Sequence, residues 1–160
     1  MNIVRSLAVA AGTLLLAGSL AAQTATQTVT FQVDAINQIS VTGAPSLTIN
    51  AATAGSAPTS ATTSGLTWAI TSNQSNSKVT AAINSALPSG VTLSVNMGAP
   101  SGATSAGSKA LGTTAVDVVT GITKVAANGL SLGYTLDATA AAGVVSSTSR
   151  TVTFTITGGT

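Results

Sequence analysis

From about residue 28 onward, apolar side chains recur at every second position. The series runs Val29/Phe31/Val33, Ile39/Val41, Leu47/Ile49 and Leu66/Trp68/Ile70, then Val79/Ala81/Ile83 and Val91/Leu93/Val95/Met97. It closes with Leu130/Leu132/Tyr134/Leu136 and Val152/Phe154/Ile156. Thr, Ser and Asn fill most of the intervening positions, so each segment has one apolar and one polar face. Side chains alternate with period two along a strand, whereas a helix repeats every three or four residues. The pattern therefore predicts an all-β chain whose strands each bury one face. The prevalence of Val and Thr fits, because β-branched side chains suit a pleated backbone.

Turn-forming residues fall between these segments. Asn73-Gln74-Ser75-Asn76 separates the Trp68 and Val79 strands, and Leu87-Pro88-Ser89-Gly90 separates the Ile83 and Val91 strands. Asn128-Gly129 reads as a hairpin turn joining Ile122–Val125 to Leu130–Leu136, since both residues tolerate positive φ. The stretch Ala110–Val119 fits either a strand around Val116-Asp117-Val118-Val119 or a short helical turn. Ala51–Gly65 and Gly98–Gly107 are low-complexity runs of small residues, which supply no core and read as crossover loops or edge excursions. The expected architecture is a single β-sandwich of about 7–9 strands over residues 23–160, immunoglobulin-like in outline.

The first 22 residues read differently. Arg5 precedes an apolar run from Leu7 to Leu16, and small residues gather from Ala17 to Ala22. That order matches an export signal cut after Ala21 or Ala22. The run is shorter than the roughly 20 residues a membrane span needs. The expectation is a secreted protein, extracellular or at the cell surface with the periplasm as transit or alternative, and no span in the mature chain.

Composition narrows the chemistry. The chain has no His, no Cys and no Glu, and its only carboxylate side chains are Asp34, Asp117 and Asp137. General acid–base work near neutral pH relies on His or a tuned carboxylate, and a hydroxyl nucleophile needs a base beside it. Zinc, copper and iron–sulfur sites lack their usual ligands here. The three Asp do not have the spacing of a calcium loop. The expectation is no enzyme, no cofactor and no metal site. The remaining route to catalysis is a Ser–Lys dyad on Lys78, Lys109 or Lys124. An intramolecular Lys–Asp isopeptide link would need a buried acid, for which Asp117 is the candidate among its valines.

The mature chain carries Lys78, Lys109, Lys124 and Arg150 against three Asp, a net charge near +1. Scattered cations make no phosphate-tracking patch, so nucleic acid is not an expected partner. Weak net charge instead permits copies to associate. Trp68 and Tyr134 would be the platform of a glycan site, yet both lie in register with core-facing neighbours. Phe31 and Phe154 are read as core-facing on the same grounds. Asn73-Gln74-Ser75 matches a glycosylation sequon, a short motif of low specificity.

One internal match stands out. Thr28-Val29-Thr30-Phe31 near the start of the mature chain reappears as Thr151-Val152-Thr153-Phe154 near the end. Neither Thr26–Asp34 nor Thr151–Thr157 contains Lys or Pro, residues that commonly guard a sheet edge. Val29, Phe31 and Val33, with Val152, Phe154 and Ile156, are therefore the candidate inter-subunit strands.

With export, composition and strand pattern in view, the chain resembles β-sandwich subunits of extracellular filaments. These are the donor-strand pilins of chaperone–usher systems and the camelysin-type biofilm fibre proteins. The resemblance lies in composition and alternation, without a specific motif. The Cys pair and penultimate aromatic of many such pilins are missing, and the chain reads Thr157-Gly158-Gly159-Thr160 instead. It implies a pilin-like sandwich that forms a homopolymer by strand donation. Two other readings stay open: a secreted adhesive or carbohydrate-binding module with glycans or cell-surface components as partners, and a soluble periplasmic accessory domain.

Overall fold

A computed structural model describes residues 22–159 of the chain. The expected export signal therefore lies outside the described residues, except for Ala22. The chain divides at residue 33, and the sandwich lies in the part that begins at Val33. Among the described residues its regular structure consists of ten antiparallel strands and one short 3-10 helix, Ala140–Ala142, with no α-helix. Seven strands have five or more residues: β1 (Asn37–Val41), β3 (Leu66–Ser72), β4 (Ser77–Ile83), β5 (Val91–Met97), β8 (Val116–Ile122), β9 (Val125–Ala138) and β10 (Val152–Thr157). Three have two residues each: β2 (Ala61–Thr62), β6 (Thr104–Ser105) and β7 (Lys109–Ala110). The first two of these lie within the low-complexity runs. Ala and Ser there give the backbone partners to pair with but little side chain to bury.

Two sheets form. The larger has the order β1-β3-β9-β5-β7, with β2 also pairing with β9. The smaller has the order β10-β4-β8-β6. Their inner faces supply the core expected from the alternation. Trp68 and Ile70 come from β3, Val95 and Met97 from β5, and Leu132 and Tyr134 from β9. Val79, Ala81 and Ile83 of β4 meet Val118, Val119 and Ile122 of β8 on the other sheet. Among the described residues no buried side-chain polar atom lacks a partner: the Trp68 indole N–H donates to the Gly98 carbonyl at 3.0 Å, and the Ser72 hydroxyl to Asn37 Oδ1 at 2.7 Å.

Four expectations need correction or completion. Thr26–Asp34 is not a strand: residues 22–36 carry no strand, and Val29, Phe31 and Val33 are 72%, 88% and 77% exposed. Alternation alone does not make a strand, which also needs a ladder partner and an opposing face. Phe31 is accordingly a surface residue, not a core one. Leu47 and Ile49 are half-buried but lie outside any strand.

Asn128-Gly129 is not a hairpin turn either. Both residues lie inside β9, and the β8–β9 reversal is made by Thr123 and Lys124, the latter at φ 43°. The pairing of β3 with β9 steps from Trp68↔Leu130 to Ile70↔Ala127, so two residues oppose one. This is a β-bulge with Gly129 at φ 62°. The extra residue shifts the phase of the alternation. Val125 and Ala127 before it and Leu130, Leu132 and Tyr134 after it all turn to the same face.

The ambiguous stretch resolves as strand β8. Register shifts against β4 place Val118 and Val119 both in the core and leave Asp117 outside.

Candidate functional site

The open side of the sandwich is where β1 and β10, the outer strands of the two sheets, lie next to each other. On β10 the Asn84 N–H donates to the Thr151 carbonyl, which fixes the phase of the ladder to β4. In an antiparallel pair the backbone groups of successive residues point to opposite sides. Those of Thr153 and Thr155 therefore serve β4, and those of Val152, Phe154 and Ile156 face the outer edge. On β1 the Asn73 N–H bonds the Ile36 carbonyl and the Thr42 N–H bonds the Thr67 carbonyl. By the same alternation, Asn37, Ile39 and Val41 turn their backbone groups outward.

Of these outward-facing residues, Ile39, Val152, Phe154 and Ile156 are half-buried against the core, while Val41 is 46% exposed. Between the strands lies an open cleft of about 280 Å³ lined by Ile39, Ser40, Val41, Val152, Thr153 and Phe154. The cleft is apolar on its floor, hydroxylated at its rim and uncharged. Arg150, the one cation flanking β10, donates from Nε and Nη2 to the Ala86 carbonyl at 3.1 and 2.9 Å.

The chain enters β1 under the control of Asn73. Its Oδ1 accepts the Ile36 N–H at 2.8 Å, and its Nδ2 donates to the Asp34 carbonyl at 2.7 Å. The side-chain amide thus makes the two bonds a neighbouring strand would make, holding Asp34–Ile36 in line with β1. One N–H of the sequon nitrogen is engaged in this way.

The other candidate residues are dispersed. Lys78 Nζ lies 2.9 Å from Asp117 Oδ1, with side chains 47% and 45% exposed. An acid so hydrated lacks the burial that isopeptide chemistry requires. Asp137 accepts a hydrogen bond from the Ser60 hydroxyl. Among the described residues no three acidic side chains gather as a metal site would need. Lys124 sits in the β8–β9 turn and Lys109 on β7. Trp68 and Tyr134 are buried at 1% and 7% exposure, so neither offers a face to a sugar. Burial raises the Tyr134 phenol above its usual pKa by desolvation. A second depression of about 430 Å³, bounded by Thr63–Thr67, Asn96, Gly129 and Ser131–Gly133, presents no charged or aromatic side chain.

Of the six candidate strand residues, the fold groups Val152, Phe154 and Ile156 on an outer strand and leaves Val29, Phe31 and Val33 exposed ahead of it. Ile39 and Val41 were legible as a strand, but their place beside β10 depends on topology and carries no local signal. No helix among the described residues is long and apolar enough to cross a membrane. No protein-family model, curated protein or solved structure matches the chain.

Proposed function

We propose that this protein is a structural, non-enzymatic subunit of an extracellular filament or surface array. Its sandwich is of the pilin-like, immunoglobulin-like kind, and copies assemble at least partly by β-strand donation. The observation that carries this reading is a pairing of opposites. One segment, Val29–Val33, has strand alternation and exposed apolar side chains but no sheet. One cleft, between β1 and β10, has two sheet edges and an apolar floor but no strand between them.

Soluble proteins protect such edges with Lys, Pro or bulges, and β10 has none of these. An added strand satisfies the outward N–H and C=O groups and buries large side chains at about 1.5–3 kcal/mol each. The dispersed Asp and Lys side chains offer no competing catalytic arrangement.

Electron microscopy and size-exclusion chromatography of the chain from Gln23 onward test the proposal. Filaments or a concentration-dependent ladder of oligomers are expected. A monomer at every concentration, temperature and calcium level, with no filament on the native cell, overturns it.

A further inference from the structure

We infer that Asn128 is a site of spontaneous self-modification. Its side chain closes on the Gly129 amide nitrogen to a succinimide, and water opens that ring to aspartate or isoaspartate. Asn128 is the only asparagine of the chain followed by glycine, and the fold leaves the pair open to react.

The chemistry uses the chain and water alone. The Gly129 backbone nitrogen gives its proton to solvent and attacks Cγ of Asn128. A carbon–nitrogen bond forms there, the Cγ–Nδ2 bond breaks, and Nδ2 takes a proton from solvent and leaves as ammonia. Hydrolysis of the cyclic imide then adds one water. Breaking the new Cγ–N bond gives aspartate. Breaking the original peptide C–N bond gives isoaspartate, whose main chain runs through the former side chain.

Two conditions govern the first step. The attacking amide must be free of a strand ladder, because a paired amide reacts only after local opening. The residue that carries it must also leave the nitrogen uncovered. Asn128 and Gly129 are both exposed, and neither pairs with a residue of β3 or β5. The β3 register steps from Trp68↔Leu130 to Ile70↔Ala127 around them, and the β5 register reaches β9 only as far as Met97↔Leu132. A bulge disrupts the ladder in just this way. Gly129 has no Cβ, and nothing lies within 4 Å of the place of one.

The other asparagines among the described residues are held or shielded. Asn37 Oδ1 accepts the Ser72 hydroxyl, Asn84 Oδ1 accepts the Thr151 N–H, and the Asn73 amide is bonded at both ends. Asn76 and Asn96 precede Ser77 and Met97, which are fully buried strand residues. Asn50 is exposed, but it precedes Ala51, whose methyl crowds the nitrogen that must attack.

Each event leaves two marks. A neutral amide becomes a carboxylate, so from Gln23 onward four cations and three carboxylates become four and four. The isoaspartate product also lengthens the backbone between Ala127 and Leu130, inside the strand that pairs with β2, β3 and β5. An old copy therefore differs from a new one in charge and in the local pairing of its larger sheet.

The full-length folded chain is kept in warm, mildly alkaline buffer, sampled over time, digested with trypsin and mapped by mass spectrometry. The tryptic peptide of residues 125–150 carries Asn128 as its only asparagine. Conversion is expected in this peptide before any other, with ammonia released in step and both aspartate and isoaspartate formed. A more acidic band should grow on isoelectric focusing. Asn128→Gln should abolish that band, since glutamine would have to close a larger ring. A sample unfolded in guanidinium gives the unrestrained rate of each asparagine, and the ratio of folded to unfolded rate should be highest at Asn128. An Asn128 that stays intact in the folded chain, another asparagine that converts first, or a ratio no higher than at Asn73 or Asn84 overturns the inference.

Discussion

Asn73 gives Ile36 a substitute for a neighbouring strand: the Asn73 N–H bonds the Ile36 carbonyl at 3.2 Å, and Asn73 Oδ1 accepts the Ile36 N–H at 2.8 Å. The third bond, from Nδ2 to the Asp34 carbonyl, extends the ladder past the first residue of β1. Removing the amide takes the Oδ1 acceptor from the Ile36 N–H and the Nδ2 donor from the Asp34 carbonyl. Asn73→Ala should lower stability by about 1–2 kcal/mol, since each net hydrogen bond is worth about 1. Urea denaturation followed by circular dichroism checks this. Unchanged stability would mean that the clamp does not hold the entry to β1.

The Trp68 indole N–H reaches the Gly98 carbonyl from a side chain that is 1% exposed. Trp68→Phe removes the donor and leaves a void beside the carbonyl. A loss of about 2–4 kcal/mol is expected from the unpaired polar group and the lost packing together. Trp68 is the only tryptophan, so its emission reports on this site alone. Native fluorescence should be blue-shifted and resist iodide quenching, and both properties should disappear in the unfolding transition.

Alkaline pH should weaken the fold through Tyr134. Burial raises its folded-state pKa above the ordinary value of 10.0 by desolvation. Above pH 10 the unfolded chain loses the phenolic proton while the folded chain keeps it, so the folded state binds more protons. Stability then falls as pH rises, and it is unaffected by this group at lower pH. The fall begins near pH 10 and continues until the folded phenol also ionises. Denaturation midpoints measured from pH 8 to 11 should decline at the top of the range. Tyr134→Phe should remove part of that decline.

Two glycines should respond unequally to the same change. Gly129, in the β9 bulge, has φ 62° with nothing near the place of a Cβ. Gly129→Ala meets only backbone strain, about 1 kcal/mol. Gly90 has φ 77°, and a Cβ there would lie 2.7 Å from Thr139 Oγ1 and 3.0 Å from the Ala142 N. Gly90→Ala adds a steric clash to the strain, so its loss of stability should exceed that of Gly129→Ala. Equal melting temperatures would contradict the comparison.

Most of the core was legible because period two maps directly onto faces: β3, β4, β5, β9 and β10 appear where Trp68, Val79, Val95, Leu132 and Phe154 recur. The misreadings share one cause. Asn128-Gly129 has the local chemistry of a turn, and what makes it a bulge is a partner, β3, sixty residues earlier in the chain. Asp117 looks buried among valines because a bulge that flips Val118 inward has no sequence mark. The candidate edges were half legible. The similarity of the two Thr-Val-Thr-Phe segments is a sequence fact, but which of them has a β-strand neighbour is a property of topology.

That asymmetry gives the sharpest stability prediction. Phe31 and Phe154 share a local sequence, yet Phe154 packs against the core on a paired strand while Phe31 is exposed. In dilute, unassembled protein, Phe154→Ala should cost about 2 kcal/mol, less than the 3–5 typical of a fully buried ring because Phe154 is only half-buried. Phe31→Ala should stay within about 0.5 kcal/mol of the parent, as surface substitutions usually do. Under assembling conditions the Phe31 variant should become the damaging one, since its ring would then be lost from the seam between copies. Urea midpoints at low protein concentration, set beside oligomer yield at high concentration, separate the two roles. If Phe31→Ala destabilises the dilute monomer as much as Phe154→Ala, the Phe31 ring belongs to the core of its own copy.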